Sequence, residues 1–351
     1  MHKIFSNNQN IIKKNFPYII AEVGVNHECS MHKAKKMISL ASEAGANAVK
    51  FQSYKAELIA SVNSPHYWDL KSEKSRSQYQ LFKKFDKFEK ENYIELSKYC
   101  KKKRVEFMST PFDENSVEFL NPIMNIYKIA SADINNLPLL EHIASKKKPI
   151  ILSTGASSLE EIKYSVNILK RNGCKNLTLM HCVLNYPTKN INANLNMIDD
   201  LKKNFPKCTI GYSDHTVPDK NMIILVSAYL KGAMVIEKHF TFDKKIKGND
   251  HYHSMDKNDL KVFVSNLEII HSTSGLKKKK YLNSEKISRK NARRSIVLKT
   301  DVFKGQVLKK EMLITKRPGT GIKPTEWYNV IGKRTKKNLK KDRLLLWSDL
   351  K

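Results

Sequence analysis

The stretch "TIGYSDHTVPDKNMIILVSAYLKGAMVIEKHFT", residues 209–241, decides how the chain is read. It opens on an apolar run, "TIGYS" (209–213), that leads into Asp214 and His215. "NMIILVSAYLKG" (221–232) follows, with the length and apolar content of a helix closed by glycine. A second apolar run, "MVIEKH" (234–239), then stops on His239. Strand, helix, strand is a βαβ unit. Its strands are continuously apolar, which predicts a parallel sheet buried on both faces.

The same unit recurs outward from this stretch. Earlier strand-like runs are "YIIAEV" (18–23), "AVKFQS" (48–53), "VEFMST" (105–110), "IYKIAS" (126–131), "IILST" (150–154) and "LTLMHC" (177–182). Amphipathic helix-like stretches lie between them, among them 31–45, 90–103 and 158–173, with 256–272 supplying an eighth. "SSLEE" offers a capping box from Ser157 or Ser158. Eight strands alternating with eight helices predict a closed (β/α)8 barrel over residues 1–275, with a doubly wound open sheet as the competing arrangement. The rhythm then changes. A charged, apolar-poor linker (276–290) leads to short β-type runs broken by turns, a small β-rich domain over 291–351.

Composition narrows the class. The chain has 351 residues, 64 Lys and Arg against 34 Asp and Glu, and a formal net charge of +30. Such a charge favours anionic partners. The excess is mostly Lys, in short runs such as "KKKR" (101–104) and "KKKK" (277–280), with no aromatic interleaving. That pattern reads as solvated faces rather than a nucleic-acid platform. The five cysteines form no C-x-x-C pair and are odd in number, which fits free thiols in a cytoplasmic protein. No signal peptide or membrane span is read.

In a barrel the site lies at the C-terminal ends of the strands, and all eight runs end in polar groups there. These are Glu22; Lys50 and Gln52; Ser109 and Thr110; Lys128, Ser131 and Asp133; Ser153 and Thr154; His181, Asn185 and Tyr186; Ser213, Asp214 and His215; Glu237 and His239. Two lysines with several hydroxyls suit a phosphate or carboxylate. Two histidines on neighbouring strands suit one divalent metal, with Glu22 or Asp250 near enough to complete its shell or take a proton.

Nine motifs follow one another in order: "IIAEVGVNHECS", "KFQSYKAE", "MSTPFD", "YKIASADINNLPLL", "ILSTGASS", "HCVLNYPT", "GYSDHT", "IEKHFT" and "GNDH". Together they resemble the sialic acid synthase family, the nonulosonate synthases that condense phosphoenolpyruvate with an N-acylated amino sugar. The tail, with "KRPGTGI" (316–322), resembles that family's SAF (antifreeze-like) domain. The resemblance implies that Lys50, Thr110, Lys128, Ser131, Ser153 and Ser213 hold phosphoenolpyruvate. It implies that His215 and His239 bind a divalent metal, usually Mn2+, with Mg2+ or Co2+ as alternatives. Gln52, Asp133, Tyr186 and Asp250 would face the amino sugar, and Glu22 would stand near sugar and metal. Arg317 would reach the partner subunit's site in a domain-swapped homodimer.

This chain departs from the family's pattern in three places. Asp133 stands where many members carry Glu, Leu184 stands where a polar residue is frequent, and "GNDHYH" (248–253) replaces Gly-Pro-Asp. His251 and His253 in that loop are read as solvent-facing. The implied acceptor is N-acetylmannosamine, ahead of the 2,4-diacetamido sugars that give legionaminate or pseudaminate. Two other readings compete: another aldolase or phosphoenolpyruvate-dependent synthase on the same scaffold, and a basic glycan- or nucleic-acid-binding protein.

Overall fold

The computed structural model describes residues 16–351 except 69, 71, 72 and 249. They fall into two compact units that divide after Ser274. In the first, eight strands run in parallel: β1 (Tyr18–Gly24), β2 (Ala48–Ser53), β3 (Glu106–Pro111), β4 (Tyr127–Ile129), β5 (Ile150–Ser153), β6 (Leu177–Cys182), β7 (Thr209–Asp214) and β8 (Val235–His239). Their order is β3-β2-β1-β8-β7-β6-β5-β4. β1 pairs with β8, so the sheet curls round on itself, and β4 lies alongside β3 to close it. No ladder joins β3 to β4 among the described residues. This is the barrel, not the open sheet, that the βαβ repeats predict.

Two periodicities build the core. Alternate strand residues point outward against the helices: Ile19, Val49, Phe51, Phe107, Tyr127, Leu152, Leu179, Ile210 and Ile236 pack with Met37, Ile38 and Leu96 in one apolar cluster. Each such side chain contributes about 1.5–3 kcal/mol on burial. The residues between them point inward. Tyr18, Ile20, Ala48, Met108, Ile126, Ile151, Met180 and Val235 form a second cluster that fills the N-terminal half of the barrel. One strand-step further on, at the C-terminal end, the inward residues become polar.

Local signals set the element ends. Ser30 caps the helix Met31–Glu43, its side chain accepting from the Lys33 N–H. Ser158, rather than Ser157, forms the capping box: its hydroxyl accepts from the Glu161 N–H at 3.3 Å, and the Glu161 carboxylate accepts from the Ser158 N–H at 2.7 Å. Gly211 is fixed by crowding. A Cβ there would lie 2.6 Å from the Val235 carbonyl oxygen of the adjacent strand.

The second unit carries an antiparallel pair, β9 (Ser295–Leu298) and β10 (Leu313–Lys316), over a core that includes Ile296, Leu298, Leu308, Ile322, Val330 and Leu345. A helix, Lys286–Ala292, begins inside the stretch expected to be linker.

The turn after β1 buries His27. Its ring stacks on Phe88, centroids 4.3 Å apart, and its Nδ1 accepts from the Cys29 N–H at 3.1 Å. Burial pushes its pKa down to about 3. The unfolded chain takes up this proton near pH 6.5, whereas the folded chain does not until about pH 3. The stability is therefore present above pH 6.5 and is lost as pH falls. Urea unfolding at pH 7.5 and pH 5 should show the wild type losing about 2 kcal/mol more than His27→Phe, which keeps the stack but not the proton. Equal losses would show that His27 does not contribute.

Candidate active site

The polar ends of the inward-facing rows enclose a cavity of about 570 Å3. Glu22, Lys50, Gln52, Thr110, Lys128, Ser131, Asp133, Ser153, Tyr186, Ser213, His215, His239 and Asp250 all line it. Strand period two explains the selection. Position 50 follows inward Ala48, 128 follows Ile126, 153 follows Ile151, and 237 and 239 follow Val235.

The centre is a buried ion cluster. Lys50 Nζ lies 2.6 Å from Glu22 Oε2 and donates to Thr110 Oγ1 at 3.0 Å. Lys128 Nζ donates to Ser153 Oγ at 2.7 Å. Glu237 Oε1 sits between the two ammoniums, 3.6 Å from Lys50 and 3.8 Å from Lys128, and accepts from Ser213 Oγ at 3.3 Å. The Gln52 amide donates to Glu22 Oε1 at 3.1 Å.

Burial is the largest influence on each of these ionisable groups, and their neighbours set the balance. It drives the Glu22 carboxyl up to about 7 against the pull of Lys50. It opposes the charge of Glu237 too, but Lys128 and Lys50 outweigh it and hold that carboxyl below its usual range. Lys50 ends above its usual value because Glu22 and Glu237 overcome burial. Lys128, farther from a carboxylate, ends below it.

Beside this cluster stands a second one. Asp250 Oδ2 is 3.4 Å from His239 Nδ1, and Asp250 Oδ1 is 3.8 Å from His253 Nε2. Donor atoms of all three residues lie within 4.8 Å of one another. Burial lowers the pKa of His239, and lowers that of His253 to about 3, so both rings are neutral near pH 7 and can act as ligands. Asp250 is pushed up to about 7 by burial and the nearby Glu22 charge. Two imidazoles and a carboxylate suit Mn2+, Fe2+ or Zn2+ better than a soft metal.

His215 lies at the edge of this cluster, its ring centroid 5.5 Å from that of His239. The Val183 carbonyl 2.7 Å from its Nδ1 fixes the ring and leaves Nε2 for the cavity. Tyr186 packs on His215 with centroids 4.2 Å apart.

Several strand-end groups point the other way. Asp214 and Lys238 are outward-facing and form a buried ion pair at 2.5 Å. Asp214 also accepts from the Tyr212 hydroxyl and the Thr216 N–H. His181 packs against Tyr212, 5.6 Å between centroids, and its Nε2 is 2.8 Å from the Ala193 carbonyl. Ser109 bonds Ser53. His251 is buried against Thr241 rather than facing solvent. His253 is likewise fully buried, which corrects its reading as a solvent-facing loop residue. Arg317 is exposed on the second unit.

The site-residue set drawn from sequence omitted Glu237, although its place two residues before His239 on one strand puts both on the inner face. It also omitted the apolar wall made by Leu58, Ile59, Phe82 and Phe85, with Tyr67 and Trp68 beside it. That wall comes from a segment inserted after β2, outside the βαβ rhythm.

Comparison with known proteins identifies the family. The model of the NeuB family matches residues 37–279, and that of the SAF domain matches residues 293–351. The chain belongs to the NeuB family. It is similar to the N,N'-diacetyllegionaminic acid synthase of Legionella pneumophila, 39% identical over 95% of this chain and 94% of that one. It is also similar to the human N-acetylneuraminate-9-phosphate synthase, 32% identical over 93% and 90%. Among solved structures, the N-acetylneuraminic acid synthetase of Leptospira borgpetersenii matches with a TM-score of 0.67, 35% identity, and coverage of 78% of this chain and 90% of that one. No helix among the described residues is long and apolar enough to cross a membrane.

The outward pair gives a test of which charges are structural. Asp214→Asn leaves the Lys238 ammonium buried without its anion and should cost about 3–5 kcal/mol in chemical denaturation. Ser213→Ala, one residue earlier on the inner face, should cost under about 1.5 kcal/mol. Equal costs would contradict the assignment of the two faces.

Proposed function

We propose that the chain is a nonulosonate synthase. It condenses phosphoenolpyruvate with an N-acylated amino sugar, N-acetylmannosamine or a close relative, and water. The products are a nine-carbon 2-keto-3-deoxy sugar acid and phosphate. The observation that carries this reading is one cavity lined by both a two-lysine anion cradle and His239 with Asp250, the pair that His253 meets from behind the wall.

Lys50 and Lys128 face the carboxylate and phosphate of phosphoenolpyruvate, and the hydroxyls of Thr110, Ser131, Ser153 and Ser213 donate to them. Gln52, Asp133 and Tyr186 hold the acceptor. The C3 carbon of phosphoenolpyruvate bonds to the aldehyde carbon of the open-chain sugar with the electron pair of the C2–C3 double bond, and the carbonyl π pair moves to the aldehyde oxygen, which takes up a proton and becomes a hydroxyl. Water adds to the electron-poor C2 and gives up a proton. Glu22, pushed up to about 7, is suited to receive it near neutral pH. The C2–O bond to the phosphate then breaks, phosphate leaves with the electron pair, and the remaining hydroxyl loses its proton to give the ketone. The two ammoniums stabilise the departing phosphate.

A divalent metal, Mn2+ by preference, held by His239 with His215 and Asp250 beside it, would polarise the aldehyde oxygen when bound. The reading also retains a domain-swapped homodimer in which Arg317 serves the partner subunit's site. The five free thiols fit a cytoplasmic enzyme.

The test is phosphate release from phosphoenolpyruvate with Mn2+, across N-acetylmannosamine and the 2,4-diacetamido acceptors, with and without EDTA. Release with an N-acylated amino sugar, abolished by EDTA and reduced at least about 100-fold in kcat/KM by Lys128→Met, is expected. Absence of release with every acceptor, together with absence of phosphoenolpyruvate binding, would overturn the reading.

A further inference from the structure

His253 is a buried imidazole without a visible task. It is fully enclosed, and among the described residues neither of its ring nitrogens has a hydrogen-bond partner. Buried polar groups are satisfied in nearly every folded protein, so two orphaned nitrogens on one ring call for an absent partner. His239 Nδ1, also buried, has none either. The two rings meet edge to face, centroids 5.0 Å apart, and Asp250 lies against both.

The spacing of Asp250 to each ring admits one shared ion as that partner. Two ligands each about 2.1 Å from a shared ion stand roughly 3 to 4.2 Å apart, depending on the angle between them. The observed 3.4 Å and 3.8 Å from the Asp250 oxygens fall in that window. Neither contact is a hydrogen bond. His239 and Asp250 reach the ion from the cavity wall, whereas His253 does not line the cavity and approaches from behind it. The short helical turn His251–His253 after Asp250 sets this placement, carrying the carboxylate and the ring on one loop.

We propose that His253 is a protein ligand of the divalent metal, completing a His239–Asp250–His253 set that holds the ion before the sugar arrives. This rests on the metal-dependent reading of the same site and adds a donor to it. The consequence is an enzyme that keeps its metal in the absence of substrate, with the coordination positions on the cavity side left for the acceptor. His215, whose Nδ1 is engaged by the Val183 carbonyl, can add its Nε2 from the cavity side without altering this claim.

The experiment is Mn2+ titration of the full chain after EDTA treatment, with free Mn2+ read by electron paramagnetic resonance and no substrate present. Wild type, His253→Ala and His253→Phe are compared, and their folding is checked by circular dichroism. Both variants should bind Mn2+ at least about tenfold more weakly. The pulsed spectrum of His253→Phe at saturating Mn2+ should show one fewer coupled histidine nitrogen than the wild type. Unchanged affinity and an unchanged nitrogen count in a folded variant would overturn the proposal while leaving the synthase reading intact. A wild type that binds no Mn2+ at all would remove the metal site, and this proposal with it. Should both variants fail to fold, isotope labelling of histidine in the wild type decides. One coupled imidazole fewer in His253→Gln than in the wild type supports the ligand, and an equal number overturns it.

Discussion

The site depends on one carboxylate oxygen. Glu237 Oε1 lies within 4 Å of two lysine ammoniums that are almost wholly buried. Taking even one charge out of water costs several kcal/mol, and two like charges in one barrel repel each other as well. Glu237 and Glu22 offset both costs, so the barrel can keep two cations ready at the bottom of a cavity. Without that offset the lysines would lose their protons or the strands would part. The cluster also explains why the hydroxyls of Thr110, Ser153 and Ser213 point into it: each completes the hydrogen bonding of a buried charge.

The barrel makes this arrangement possible by dividing its strands twice. Across each strand, the outward residues meet helices and the inward ones meet each other. Along each strand, the inward row changes from Tyr18, Ala48 and Val235 to Glu22, Lys50 and Glu237. The apolar half seals the bottom and keeps water from the charges above it. The same rule places Asp214 and Lys238 outside, where they neutralise each other and serve packing. Two ion clusters drawn from neighbouring strands therefore do different work, and a single step in register separates them.

Much of this was legible in the sequence because βαβ repeats and strand ends are local signals. Lys50 and Lys128 inside apolar runs, and His239 at the end of one, could be read directly. Chain order alone did not separate inward from outward ends. His181 and Asp214 stood among the strand-end candidates, yet they are packing residues, and Glu237 stood there too without being given a role. His253 could not be placed from sequence, because its burial depends on how the loop after β8 folds back onto Asn26 through Ser254. The aromatic wall of the inserted segment lies outside any repeat. It became visible only where tertiary contacts fold it over the cavity.

The most direct measurement is calorimetric titration of phosphoenolpyruvate, without metal or acceptor, into the wild type and into Lys50→Met, Lys128→Met and the double variant. If the two ammoniums form one anion cradle, each single change should weaken binding at least about tenfold. The double variant should lose less than the sum of the two, because the groups share a ligand. Unaltered binding in both single variants would show that the anion is held elsewhere and would contradict the account.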